Sequence, residues 1–479
     1  MHIPRKLTLF GGTAALALAA VAVGGAAQDF GSERDQMLEA KSVQQFGIVS
    51  GLQSSSSVAV TAAEASANPL SLITVAKGLK VRVVTAGGIA GANIDMMALW
   101  PDDTNPTHLI ACNEQGADHP GVQRINIATG AVETIVTGTT ACDGVRRTAW
   151  GTILFSEEAG GGASGGRVYE LMNPLGTTGV TLNRATGVFS GGTGATNLTA
   201  RPALGRLSFE GFALYPNGLI YYGDENRPSS GVAGGAYFKF IPSMPFAAGS
   251  PAITNLSQSP FAAGSIYGLR LGKRSGGTDY GQGTQTGFGV WIPIPAAADA
   301  DLRAAAATFK LTGYYRPEDI DIDGAAAAAG KVRFCGPNTG NESDDQNYGE
   351  VICISDGTLV QATLNTAVPE AQFLVIGSPA FAMPDNIAYQ PGRGNWLVHE
   401  DADTDYPAGQ IDNNDVWDCL PDVVDADLLS DGCIRVITEN DPSAEWTGGI
   451  FDSTGTRFFL SAQHNITGKG VVFEITGWK

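Results

Sequence analysis

The chain has 479 residues and carries 29 Lys and Arg against 48 Asp and Glu, a formal net charge of −19. That balance excludes a nucleic-acid binder, which needs surplus cationic side chains to displace counterions, and an anionic membrane surface as partner. With 43% apolar residues, 16% charged ones and 63 glycines, the chain can bury a large core and turn often, which excludes global disorder.

At the N-terminus, Arg5 and Lys6 precede an apolar run from Thr13 to Val23, followed by the small residues Gly25 and Ala27. This is the pattern of a signal peptide over residues 1–27 with cleavage before Gln28, and the run is too short for a comfortable membrane span. The mature protein is therefore expected to be secreted or periplasmic, with no membrane contact after cleavage. Residues 28–75 are rich in Ser and Ala and are expected to form an N-terminal arm, with a helix predicted over 33–45. Residues 76–479 form the expected folded domain.

Strands and turns dominate from about residue 80 onward. Val81–Val84 and Gln123–Ile127 alternate apolar and polar residues, the period of a half-buried strand. Asn126–Gly130 followed by Ala131–Ile135 reads as strand, Gly-containing turn and strand. A second helix is predicted over Ala297–Ala307 as an insertion, and the Gly-rich stretches 160–166, 189–195 and 275–288 read as loops. The six cysteines are even in number, as disulfides in an exported chain require. They allow fifteen pairings. Nearness along the chain favours Cys112 with Cys142, Cys335 with Cys353 and Cys419 with Cys433. None has the CxxC spacing of a thiolate metal site.

A loose repeat carries more weight. Glu210 to Glu225 reads as strand, Pro-Asn-Gly turn and strand; Asp385 to Asp401 and Glu445 to His464 have the same shape. Glu318 to Asn338 is a fourth copy with a longer turn, and Thr148 to Glu158 a fifth without an acidic first residue. In an antiparallel hairpin the start of strand one and the end of strand two share an edge. Each unit so brings a leading carboxylate and a trailing polar residue to one rim. Such hairpins describe blades of an all-β β-propeller with loop and helical insertions, whose innermost strands gather the carboxylates at the axis.

Crowded carboxylates repel unless neutralised, most cheaply by a hard cation bound through oxygen, chiefly calcium. The candidate metal ligands are Glu157, Glu158, Glu210, Asp224, Glu225, Glu318, Asp319, Asp385, Asn386 and Glu445, with Asn113, Glu114, Glu400, Asp401, His399 and His464 as further candidates. Arg316 stands two residues before Glu318, on the same strand face; a guanidinium beside metals is a fork for phosphate, and the equally open reading is an ion pair with Glu318 or a neighbour. An acidic loop from Asp401 to Asp418 opens like a calcium loop, but Tyr406 stands where an EF-hand needs Gly, which excludes that motif. No P-loop or HExxH sequence occurs.

The segments Trp150-Gly-Thr-Ile-Leu-Phe-Ser-Glu-Glu158, Gly205-Arg-Leu-Ser-Phe-Glu210, Tyr222-Gly-Asp-Glu225, Arg316-Pro-Glu-Asp319, Pro384-Asp-Asn386, Glu445-Trp-Thr-Gly448 and Gln463-His464 resemble, in order, the PhoX family of exported alkaline phosphatases, over most of residues 95–475. The resemblance implies a six-bladed propeller holding calcium and iron at its centre, and hydrolysis of phosphomonoesters with little regard for the leaving alcohol. It puts the family's metal-binding glutamates at Glu158, Glu210 and Glu318 and its phosphate-gripping arginine at Arg316. Where the family places a metal-binding cysteine this chain has Ser156, an alcohol and a poor ligand for ferric iron. Calcium is thus the first expected cofactor and Fe3+ the second. The expected function is a secreted metal-dependent phosphoesterase with Arg316 and Glu318 catalytic, acting as a monomer on a phosphorylated small molecule. The alternative is a non-catalytic, calcium-stabilised propeller that binds a ligand or sits at the cell surface.

Overall fold

The computed structural model describes residues 41–229, 232–272, 285–295, 297–341, 347–402, 412–422 and 429–479. The predicted signal peptide, most of the helix expected over 33–45 and the tip of the acidic loop (403–411) lie outside the described residues. The chain folds as a β-propeller, and each blade starts at the axis and meanders outward through antiparallel strands; at the outer edge of blade one, Val180–Asn183 adds parallel to Val132–Thr137. The innermost strands are Ile94–Trp100, Cys142–Arg147, Phe212–Leu214, Asp321–Ile322, Pro384–Tyr389 and Glu445–Phe451. They touch one another in that order and the last touches the first, closing a ring of six. Blades three and four share one nine-stranded sheet, because the outer strand Gly287–Ile294 pairs over two residues with Glu370–Ile376.

The strands read as continuous apolar runs because each blade is sandwiched between two others. In Thr152–Glu157 all six residues are buried. Consecutive side chains point to opposite faces, so Ile153 packs towards blade one and Leu154 towards blade three. Tyr221 and Tyr222 divide in the same way between blades four and two. Six apolar clusters fill the six gaps, the last joining Phe459 and Val472 of blade six to Leu99 and Leu109 of blade one.

The N-terminal segment closes the ring. Lys80–Gly87 is the outermost strand of blade six, paired with the near-C-terminal strand Gly470–Thr476. Ile73–Val75 adds to the rim of blade five through Cys433–Glu439. Phe46, Ile48, Ala65 and Leu72 of the arm are buried in the cluster between blades five and six. The arm is thereby part of the fold's core.

The disulfides join Cys112 to Cys142, Cys335 to Cys353 and Cys419 to Cys433. The first ties blade one to the inner strand of blade two; the other two lie across directly paired residues of neighbouring strands. The helix predicted over 297–307 forms over Leu302–Phe309. The alanines favour helix throughout, but the start is set by Asp301, whose carboxylate accepts a hydrogen bond from the Ala304 N–H. No helix among the described residues is long and apolar enough to cross a membrane.

Candidate active site

Each blade opens with a carboxylate at the axial rim: Asp95, Asp143, Glu210, Glu318, Asp385 and Glu445, one per blade in chain order. The second strand returns to the same rim and ends on Glu114, Glu158, Glu225, Thr339, Asp401 and His464. A corner hydrogen bond repeats in five blades. The N–H of the returning residue donates to the carbonyl two residues before the leading carboxylate: Glu114 to Asn93 (2.8 Å), Glu158 to Ala141 (2.8 Å), Glu225 to Ser208 (3.2 Å), Thr339 to Arg316 (3.1 Å) and Asp401 to Met383 (2.9 Å). Ala141, Arg316 and Met383 adopt positive φ of 43°, 58° and 53° at this corner, a conformation non-glycine residues hold only where the surroundings enforce it.

A one-residue β-bulge turns several of these side chains to the axis. In blade one the register passes from Ile94↔Asn113 to Met97↔Ala111, in blade two from Cys142↔Glu157 to Val145↔Phe155, and in blade five from Pro384↔Glu400 to Ile387↔Val398. Asp95, Asp143 and Asp385 lie within these bulges, which re-aim side chains while the rest of the ladder stays intact. Close backbone approach also helps. A Cβ on Gly144 would collide with the Glu210 carbonyl, and one on Gly211 with Asp319, so the glycines let inner strands two, three and four converge.

The outcome is a cavity of about 260 Å3 lined by ten carboxylates, Arg316 and His464. One oxygen each from Asp143, Glu158 and Glu210 lie within 4.8 Å of one another. Asp95 Oδ1 and Asp143 Oδ1 are buried without a hydrogen-bond partner. Burial, reinforced by neighbouring carboxylates, pushes Glu158 up to about 10. Burial likewise raises Asp143 to about 7, against a lowering hydrogen bond with Glu210. Asp95, Glu210, Glu318, Asp385 and Glu445 are all held well above the ordinary carboxylate range, chiefly by burial. Such a cluster either holds protons or holds cations.

Blade four breaks the pattern. Its returning residue is the uncharged Thr339, whose hydroxyl donates to Glu318 Oε1 at 2.5 Å. Its corner residue is the cation, Arg316, with Nε 2.8 Å from Glu225 Oε1 and 3.1 Å from Glu318 Oε1. Burial works against the guanidinium's charge, but Glu318, Asp401 and Asp385 outweigh it and keep it charged. An anion entering the cavity therefore meets a positive fork set among negative groups. His464 Nε2 lies 3.2 Å from Glu445 Oε1 at the rim.

Among the sequence-predicted residues, Glu158, Glu210, Glu225, Glu318, Asp385, Glu445 and Arg316 line this cavity, as do Glu114, Asp401 and His464. Glu157, Asp224, Asp319 and Asn386 do not. Glu157 accepts from Thr140 N–H, Tyr169 Oη and Arg184 Nε. Asp224 is clamped by Arg303, Asp319 is paired with Arg146 at 3.0 Å, and Asn386 accepts from the Gly448 N–H of blade six. The reason is alternation: neighbours of rim residues point into the blades. His399 is fully buried between blades five and six, away from the cavity, and Glu400 accepts from Ala382, Asp415 and Trp417 within blade five. Asp415 pairs with Arg435 and Asp418 accepts from Asn395, so both belong to that blade's framework. Ser156 is buried next to the site, its hydroxyl 3.3 Å from the Gly144 carbonyl and 3.5 Å from that of Phe209. Asp95 and Asp143 were not legible as site residues. The unit expected to start at Thr148 without a carboxylate in fact starts at Cys142 and leads with Asp143. A larger cavity of about 520 Å3 lies at the opposite face, between the turns at 391–395 and 454–456, and carries no comparable cluster.

The sequence matches the profile of the family described as "Alkaline phosphatase PhoX" over residues 118–465. Among solved structures the fold is similar to that of Pseudomonas fluorescens PhoX in complex with vanadate, with a TM-score of 0.61 and 16% identity over 88% of this chain and 97% of that one. A protein of unknown function from Dyadobacter fermentans gives a TM-score of 0.44 at 8% identity, covering 84% and 100% of the two chains. A Xanthomonas campestris gluconolactonase gives 0.40 at 12% identity, covering 88% and 94%. No curated protein sequence matches.

Proposed function

Because the chain belongs to the PhoX family of alkaline phosphatases and is thus a phosphoesterase of that type, we propose that its axial cavity is a calcium-dependent site for phosphomonoester hydrolysis. The observation that carries this reading is that, among the described residues, one guanidinium, that of Arg316, is set among ten carboxylates in one cavity. An all-oxygen donor set with unpartnered Asp95 Oδ1 and Asp143 Oδ1 suits a hard cation. Asp143, Glu158 and Glu210 are the first residues that would hold it, with Asp95, Glu114, Asp385 and Glu445 completing the lining. Bound calcium would neutralise the entering phosphate and make its phosphorus more electrophilic. Iron is less well served: all six cysteines are in disulfides, and the Ser156 hydroxyl is directed at backbone carbonyls.

The chain's own residues divide the remaining work. Arg316 grips the phosphoryl oxygens and stabilises the charge that builds on them. Glu225 accepts its Nε–H, Glu318 adds an ion pair from 3.1 Å, and Thr339 fixes Glu318 in turn. The cavity's size suits a phosphoryl group more than a whole substrate, so the alcohol would remain at the rim, consistent with loose demands on the leaving group. A phosphorylated small molecule is the proposed substrate, and a monomer the proposed acting form. Three disulfides support an exported protein. Ser156 is the observation favouring the other reading, a calcium-stabilised propeller that binds without turnover.

Turnover of p-nitrophenyl phosphate, inhibited competitively by vanadate, separates the two. In Arg316→Ala, kcat/KM is expected to fall about a hundredfold and vanadate inhibition to weaken in step, because one charged fork on the phosphoryl group is removed. Wild-type protein with no turnover under any calcium supply would leave the binding reading standing.

A further inference from the structure

Two sequence features remain outside the cavity: the alanine-rich insertion helix and the Gly-rich loop that follows Glu158. They meet each other. Leu302 anchors the helix in the core between blades two and three. The loop passes so close that a Cβ on Gly161 would collide with the Asp301 carboxylate and come within 3.0 Å of Arg303 Cβ. Together they deliver one side chain, Arg303, to the rim of blade three.

There Arg303 makes a two-pronged contact with Asp224, Nε to Oδ2 at 2.9 Å and one terminal nitrogen to Oδ1 at 2.7 Å. The same terminal nitrogen donates to the Glu225 carbonyl at 2.7 Å and to Ser208 Oγ at 3.2 Å. Asp224 also accepts from the Ser208 N–H at 3.3 Å. Ser208 is the corner residue of blade three and takes the Glu225 N–H on its own carbonyl. Glu225 is so held at its carbonyl, at its N–H and through its neighbour, while its carboxylate lies 2.8 Å from Arg316 Nε.

We infer that Arg303 is a positioning residue. From the insertion helix it locks Asp224 and Glu225, and Glu225 in turn fixes the Arg316 guanidinium for oxyanion binding. Asp224 is about 1% exposed, so it is no ordinary surface partner. Losing Arg303 would leave a buried carboxylate uncompensated next to Glu225, in competition for Arg316. The charge alone would not suffice, because a lysine cannot span both Asp224 oxygens and the Glu225 carbonyl.

This rests on the proposed function, and the test uses the full mature protein with calcium. Vanadate inhibition and the kcat and KM of p-nitrophenyl phosphate hydrolysis are measured for wild type, Arg303→Ala, Arg303→Lys, Asp224→Asn and the double variant Arg303→Ala with Asp224→Asn. Each single change is expected to weaken vanadate inhibition about tenfold and to raise KM more than it lowers kcat. Lysine should rescue little. The double variant should be no worse than Arg303→Ala, because the two residues act as one unit. A merely structural role would instead lower the melting temperature and leave the vanadate constant unmoved. Should Arg303→Ala fail to fold, Arg303→Lys and Asp224→Asn carry the same comparison. Vanadate inhibition within twofold of wild type in the folded variants, or losses that multiply in the double variant, would overturn the positioning role. A wild-type protein that neither hydrolyses the ester nor responds to vanadate would overturn the proposed function along with it.

Discussion

Glu318→Gln is expected to lower kcat for p-nitrophenyl phosphate about a thousandfold while the protein stays folded. Glu318 is 2% exposed, and its Oε1 meets both Arg316 Nε and the Thr339 hydroxyl. Glutamine keeps the shape and the bond to Thr339. It loses the charge that orients Arg316 and one hard oxygen donor facing the cavity. Both losses fall on groups that act on the phosphoryl charge, so they should appear in kcat rather than in folding. The fold should even gain slightly, because a buried carboxylate held above its ordinary range is replaced by a neutral amide. Steady-state kinetics together with a thermal melt checks both halves. Undiminished turnover would remove Glu318 from the active site.

The second large effect concerns the protein stripped of cations. Folded-state carboxylates at the axis are raised, Asp143 to about 7 and Glu158 to about 10, so the folded chain binds more protons than the unfolded one. Stability then falls as pH rises. The contribution is fully present below the unfolded carboxylate range near about pH 4, and it is lost as pH climbs through the folded values. Chelated protein is therefore expected to melt about 10 °C or more lower at pH 9 than at pH 5. Added calcium should erase most of that difference, because it replaces protons as the neutralising charge. Melting curves of chelated and calcium-loaded protein across this range provide the check. Chelated protein that is equally stable at both ends would mean that the cavity's carboxylates are not raised by burial and by one another.

Much of this site could be read from the chain, and the residues that escaped share a cause. Glu210, Glu318 and Asp385 stand at the head of hairpins whose Gly-containing turns mark where strand one ends, so counting back finds the rim. Glu445 was found in the same way, ahead of the turn at Gly455. Asp95 heads a run, Met96 to Trp100, that is apolar on both faces because two blades enclose it. No alternation marks it, and its bulge shifts the phase. Asp143 stands between Cys142 and Gly144, where a one-residue bulge again breaks the two-residue period. Glu157 and Asp319 were over-read for the opposite reason. A doublet of acids on a strand end cannot put both side chains on the axis, and the off-axis member needed an arginine, Arg184 or Arg146, that lies far away in sequence. The helix start at Leu302 turned on one cap, Asp301, rather than on alanine content.

In the proposed function, cations in the acidic axial cavity and phosphoester hydrolysis belong to the same site. The deciding measurement is elemental analysis of the purified protein, paired with p-nitrophenyl phosphate turnover before and after chelation. Bound calcium is expected, with turnover that disappears when the calcium is removed and recovers when it is restored. Turnover that survives complete removal of the metal would contradict it.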